Sequence, residues 1–332
     1  MSPRIVASMH GLGVADELAD DLARRLALVE EALRAAVRSD YPFVTEASRH
    51  LVDAGGKRFR PLLVLLAAQY GDPSAAGVIP AAVVVELTHL ATLYHDDVMD
   101  EADLRRGAPS ANSRWDNTVA ILTGDFLFAR ASDILADLGP EAVRIQARTF
   151  ERLCTGQIRE TVGPVDGEDP VAHHLQVLAD KTGSLIATSC QFGAMMSGAD
   201  PRIVHTLTRF GESIGVAFQL ADDIVDISSD SDQSGKTPGT DLREGVPTLA
   251  PLMALGMEGD PAFAEALTRP LTNDSEHARV LAELRAHPAL DLARAEAHRW
   301  ADEARAHLGE LPPGPATDAL AALCDYVVDR TG

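Results

Sequence analysis

Two aspartate clusters have the residue types and spacing to do chemistry: Asp96-Asp97-Val98-Met99-Asp100 and Asp222-Asp223-Ile224-Val225-Asp226. On a helix the first and last aspartates of each cluster lie about 40° apart, with the second aspartate beside them. Carboxylates packed this closely repel one another, which costs stability on a bare helix surface. A hard divalent cation reverses that cost, and Mg²⁺ commonly shares one or two carboxylates with substrate phosphates. A single cluster is a weak signal in a chain with 50 acidic residues, but two copies are a much stronger one. Each also ends an apolar stretch, Leu87–Tyr94 or Gly215–Leu220, whereas a solvated face mixes Lys and Glu along its length.

If Mg²⁺ and a diphosphate meet at these clusters, cations should be available for the remaining anionic oxygens. Arg105-Arg106 follows the first cluster within one loop, and Gly55-Gly56-Lys57-Arg58-Phe59-Arg60-Pro61 sets three cations around a glycine turn at a helix start. Such a turn suits a phosphate and equally reads as an ordinary basic turn; it lacks P-loop spacing. His89 lies two turns before Asp96 on nearly the same stripe, as a ligand or as a satisfied core histidine. Lys181-Thr182 sits in a mostly apolar stretch, where an ammonium needs an anion. Gln219 shares a face with Asp222, and Lys236 either closes a Gly- and Pro-containing loop over a ligand or is simply solvated.

The elements that must carry these residues read as helices. Leu18, Leu22, Leu26, Val29 and Leu33 recur three or four apart across 16–38. Further helices are expected at 43–53, from Pro61 to Tyr70, from Pro80 to about Ala102, and near 118–137, 140–162, 170–197, 201–228, 247–257, 275–286, 290–309 and 315–330. Few stretches alternate as strands do, and no flexible linker interrupts the chain, so one all-α domain over 1–332 is expected. The chain is 46% hydrophobic and 24% charged, with a formal charge of −21 that argues against a nucleic-acid partner. Three widely spaced cysteines argue against a disulfide framework and for a reduced, cytoplasmic setting. The N-terminus lacks the apolar stretch of a signal peptide, and no unbroken run of 18 apolar residues suggests a transmembrane segment.

With these residues in place, the sequence resembles the trans-isoprenyl diphosphate synthases, the polyprenyl synthetase family, from about residue 16 to 330. The resemblance rests on GGKRFRP at 55–61, HDDVMDEADLRRG at 95–107, GD at 124–125, KT at 181–182, FQLADDIVD at 218–226 and GKTPGTDLREG at 235–245. It implies the isoprenoid synthase fold, a helical bundle around a deep central cavity, in a homodimer. By that resemblance Asp96, Asp97, Asp100, Asp222, Asp223 and Asp226 bind two or three Mg²⁺ ions. Arg105, Lys181 and Lys236 contact an allylic prenyl diphosphate, while Lys57, Arg60, His89 and Arg106 hold isopentenyl diphosphate. Thr182 and Gln219 turn their oxygens toward the developing cation or the allylic group.

The implied reaction is head-to-tail condensation: the allylic diphosphate ionises, and the alkene of isopentenyl diphosphate attacks the cation. The growing hydrocarbon needs room below the aspartates. Thr92 lies one turn before Asp96, Ala91 beside it and Thr88 a turn further down. These small residues resemble long-chain synthases and imply a product longer than twenty carbons, or they simply let two helices approach. Alternatives are a geranylgeranyl diphosphate synthase, a class I terpene cyclase and a non-catalytic subunit of a heteromeric synthase. A cyclase is disfavoured by the second DDxxD cluster and by the elements for a second diphosphate, and a non-catalytic subunit by the intact clusters and cations.

Overall fold

The computed structural model describes residues 15–229 and 238–329, so Lys236 lies outside the described residues. Helix α1 (Asp16–Ala36) buries Leu18, Leu22, Leu26, Val29 and Leu33, the stripe that its periodicity marks. Helix α2 (Pro42–Asp53) begins on a proline, where no backbone donor is needed. Helix α3 (Phe59–Ala67) continues into a 3₁₀ turn, Ala68–Tyr70, and is apolar on nearly every side because nearly every side is covered. Helix α4 (Val78–Met99) packs against α1, α3 and α6 (Asn117–Leu138). Among the described residues α4 alone is long and apolar enough to cross a membrane, but it is mostly buried, as a core helix is.

The remaining helices are α5 (Ala111–Arg114), α7 (Pro140–Val162), α8 (Pro170–Leu178), α9 (Ser184–Met196) and α10 (Pro201–Ser228). They are followed by α11 (Thr240–Glu244), α12 (Leu249–Leu255), α13 (Pro261–Ala266), α14 (Asp274–Ala286), α15 (Pro288–Leu308) and α16 (Pro315–Asp329). The all-α reading holds, but the short helices α5, α11 and α13 lie where no helix was expected, and three further differences bear on the site residues. The helix expected over 170–197 is interrupted by a π turn, Ala179–Gly183, which carries Lys181 and Thr182. Helix α4 stops at Met99, three residues short of Ala102, with Asp100 as its C-cap. A two-stranded hairpin, β1 (Leu104–Arg105) with β2 (Ala108–Pro109), then turns at Arg106-Gly107. Both turn residues have positive φ, 55° and 77°, the conformation of a tight hairpin turn.

The described chain divides into two compact units, neither of them continuous in sequence. The first takes in residues up to Phe150, Leu185–Thr208 and Leu308–Ala322; the second takes in Glu151–Ser184, Arg209–His307 and residues from Leu323 onward. In the first unit α9 approaches α3 so closely that a Cβ on Gly193 would stand 2.1 Å from the Val64 carbonyl oxygen. There too Arg58 is locked by Glu86 at 2.8 Å and Glu30 at 2.5 Å, and donates to the Val52 carbonyl at 2.9 Å. Arg58 thus organises the glycine turn from inside the core. In the second unit the Arg285 guanidinium donates to the carbonyls of Ile227 and Ser229 at 2.7 and 2.6 Å, satisfying acceptors left over at the end of α10.

Gly193→Ala should force α9 off α3 and destabilise the protein by about 2 kcal/mol or more. Urea denaturation measures this, and an unchanged midpoint would refute the close approach.

Candidate active site

The first cluster ends α4. Asp97 is fully buried, and the hairpin brings Arg105 back so that its Nε donates to Asp97 Oδ1 at 2.5 Å. The other oxygen, Oδ2, is also buried and has no hydrogen-bond partner among the described residues. Burial pushes the Asp97 carboxyl above its usual range, with Arg105 opposing the shift. Asp96 is half-buried, and Asp100 is half-exposed with Arg105 Nη2 at 3.9 Å.

Beside this cluster the cations converge. The Arg106 guanidinium donates to the Leu51 carbonyl at 2.9 Å and to that of Gly55. A Cβ at Gly56 would stand 3.0 Å from the same guanidinium, so the glycine turn is shaped around it. Burial holds His89 well below the usual imidazole pKa, and Arg60, Arg106, Arg58 and Arg105 push it further down. A neutral imidazole in a field of positive charge suits an anion. Lys57 is exposed on the turn and Arg60 is half-buried in the first turn of α3.

Along α4, Ala91 is fully enclosed and Thr92 half-buried, its hydroxyl donating to the His89 carbonyl at 2.8 Å. Tyr94 turns toward α2, where its hydroxyl donates to the Ala47 carbonyl at 2.6 Å. Thr88 is buried, and its Oγ1 accepts a bond from Gln146 Nε2 at 2.7 Å. Gln146, which no local pattern singles out, thus stands beside the deepest of the three chain-length candidates.

The second cluster lies in the second unit, toward the end of α10. Asp223 is buried; its Oδ1 accepts from Gln219 Nε2 at 3.0 Å, and Gln219 Oε1 accepts from Thr182 at 3.1 Å. Thr182 and Gln219, expected to act together, thus form one hydrogen-bonded chain with Asp223. Burial pushes the Asp223 carboxyl well up, and the charges of Asp241, Asp222 and Asp226 add to this. His174 Nε2 lies 3.7 Å from Asp223, but burial takes that imidazole down to about 4, so it is neutral near pH 7. The Asp226 carboxylate accepts the backbone N–H groups of Thr240 and Asp241 at 3.3 and 3.2 Å. Lys181 Nζ meets Glu160 Oε2 at 2.5 Å. His174, Asp241 and Glu160 belong to no spacing pattern around the clusters and were not singled out.

Among the described residues no three His, Cys, Asp or Glu side chains converge tightly enough to hold a metal by themselves. The donor chemistry nonetheless fits a hard divalent cation. The clusters offer oxygen donors only, one buried carboxylate oxygen of Asp97 has no partner, and negative charge is crowded around Asp223. Substrate oxygens would complete such a coordination shell. Because the folded pKa of Asp223 lies above its usual 3.8, its contribution to stability is full below pH 3.8 and is lost as pH rises through the folded value. Asp223→Asn should therefore raise the melting temperature of metal-free protein at pH 7 by a few degrees and leave it nearly unchanged at pH 3.5. A lower melting temperature at pH 7 would contradict this reading of the carboxylate.

The chain matches the Polyprenyl synthetase family over residues 41–286. It is 51% identical over 310 residues to nonaprenyl diphosphate synthase of Mycobacterium tuberculosis, covering 92% of each chain. Heptaprenyl diphosphate synthase component 2 of Geobacillus stearothermophilus is 41% identical, with 94% of this chain and 97% of that one covered. The crystal structure of geranylgeranyl pyrophosphate synthase from Corynebacterium glutamicum, complexed with calcium and isoprenyl diphosphate, superposes with a TM-score of 0.85 at 46% identity. That match covers 96% of this chain and 98% of the other. Motif order, helical fold and whole-length likeness agree: the chain belongs to the polyprenyl synthetase family of prenyltransferases.

Proposed function

We propose that this prenyltransferase extends an allylic diphosphate with isopentenyl diphosphate, head to tail, to a trans-polyprenyl diphosphate longer than twenty carbons. The observation that carries the reading is the pairing of two acidic clusters with two sets of cations, one set around His89 and Arg106 and one including Lys181. The family uses divalent metal ions. Asp96, Asp97 and Asp100, with Asp222, Asp223 and Asp226, would hold Mg²⁺, which supplies charge stabilisation to a departing diphosphate.

The chain's own groups do the rest. Arg105 and Lys181 exchange their present carboxylate partners for diphosphate oxygens, joined by Lys236. Lys57, Arg60, His89 and Arg106 receive the second diphosphate. A neutral His89 donates one hydrogen bond without adding to the repulsion among the arginines. The Thr182–Gln219–Asp223 chain keeps amide and hydroxyl oxygens oriented where positive charge develops. No side chain is an obvious base, and the released diphosphate is the proton acceptor by family analogy.

The long product is supported by the nonaprenyl and heptaprenyl relatives, by the small Ala91 and Thr92, and by the turn of Tyr94 away from them toward α2. We take the two units as parts of one catalytic domain, since each is assembled from separate stretches of chain. A homodimer is supported by exposed Ile121, Leu122, Val143 and Phe150 on α6 and α7, and a cytoplasmic setting by three free cysteines. The word component in the name of the heptaprenyl relative favours a second reading, in which the chain works only with a partner subunit.

Incubating the purified chain with labelled isopentenyl diphosphate, allylic primers and Mg²⁺ should yield products beyond twenty carbons on mass spectrometry. Products that stop at twenty carbons would refute the long-chain reading, and label incorporated only after a partner is added would establish the second. Thr92→Phe should shorten the product; an unchanged length would remove Thr92 from the hydrocarbon's path.

A further inference from the structure

Helix α7 meets the π turn along a single stripe, Arg152, Gly156 and Glu160, spaced four residues apart. At the first position one guanidinium makes four bonds. Its Nε donates to Asp180 Oδ1 at 2.8 Å and its Nη2 to the Ala179 carbonyl at 3.2 Å. Its Nη2 and Nη1 also donate to the two oxygens of Glu212 at 2.5 and 3.1 Å. At the second position a Cβ on Gly156 would stand 2.9 Å from the Lys181 backbone nitrogen, so only glycine admits the turn this close. At the third, Glu160 takes the Lys181 ammonium.

A π turn inserts an extra residue into helical hydrogen bonding, and it persists where side chains satisfy what the insertion disturbs. Arg152 binds the first residue of the turn, Ala179, and the buried carboxylate of the second, Asp180, whose other oxygen accepts from Gln176 at 2.9 Å. The same guanidinium grips Glu212 on α10, the helix that carries Gln219 and the second aspartate cluster. One planar fork thus joins the turn bearing Lys181 and Thr182 to the helix bearing Gln219 and Asp222–Asp226.

We propose that Arg152 is a positioning residue, holding Lys181 and Thr182 in register with Gln219 and the second cluster for the allylic diphosphate. The inference rests on the reading of Lys181 as a contact for that diphosphate. Lysine cannot replace the fork, because a point charge cannot serve Asp180, Ala179 and both oxygens of Glu212 together. Relaxation of the π turn to regular helix would swing Lys181 by about 100°.

The test is steady-state kinetics with the allylic and isopentenyl diphosphates varied separately, for Arg152→Lys, Glu212→Gln, Lys181→Ala and the Arg152→Lys/Lys181→Ala double variant, alongside thermal melts. Arg152→Lys should raise KM for the allylic diphosphate roughly tenfold and leave that for isopentenyl diphosphate within about twofold. Glu212→Gln should act in the same direction, and the double variant should be little worse than Lys181→Ala alone. If Lys181→Ala raises the allylic KM and folded Arg152→Lys does not, the role of Arg152 is overturned while Lys181 stands. If Lys181→Ala leaves the allylic KM unchanged, the underlying reading fails. Should Arg152→Lys not fold, Glu212→Gln decides, and an unchanged allylic KM in that variant overturns the proposal. Equal rises in both KM values that track a lower melting temperature would mark a purely structural role and also overturn it.

Discussion

Carboxylates held where water cannot fully solvate them are the constraint around which the rest is arranged. Asp97 and Asp223 are buried, and both are pushed toward the protonated form by that burial. A fold selected for stability alone would replace them, because burying like charges without counter-charge is costly. The hairpin that returns Arg105 to Asp97, and Gln219 beside Asp223, soften the cost without removing it. What remains is a standing demand for positive charge, which a divalent cation held by these carboxylates would meet.

The cations divide into those that hold the frame and those left to face an anion. Arg58 lies between two expected ligands in sequence, yet its guanidinium, like that of Arg152, is committed to protein carboxylates and carbonyls. Arg105 instead meets Asp97 and, at 3.9 Å, Asp100, and Lys181 meets Glu160, carboxylate partners that a diphosphate would displace under the proposed reading. The net charge of −21 coexists with this chemistry because the arginines around His89 are clustered, and distant charge is screened over about 8 Å.

Much of this was legible in the residues, for physical reasons that differ from element to element. The stripe of α1 and the run of α10 follow from spacing alone, and the aspartate clusters from an arrangement that is unfavourable without a cation. The π turn was not legible, because one inserted residue leaves an apolar run looking like a continuous helix. Nor were His174, Gln146 and Arg152. Their partners Asp223, Thr88 and Glu212 lie 49, 58 and 60 positions away, and local spacing carries no trace of such contacts. The hairpin at Arg106-Gly107 was missed because its strands are two residues long, too short to show alternation.

Calorimetric titration with an unreactive allylic thiolodiphosphate, in excess Mg²⁺ and then in chelator, tests most directly whether the acidic clusters bind metal and diphosphate together. Binding should weaken by roughly a hundredfold without Mg²⁺, because unneutralised carboxylates then repel the diphosphate. Equal affinity in chelator would contradict it.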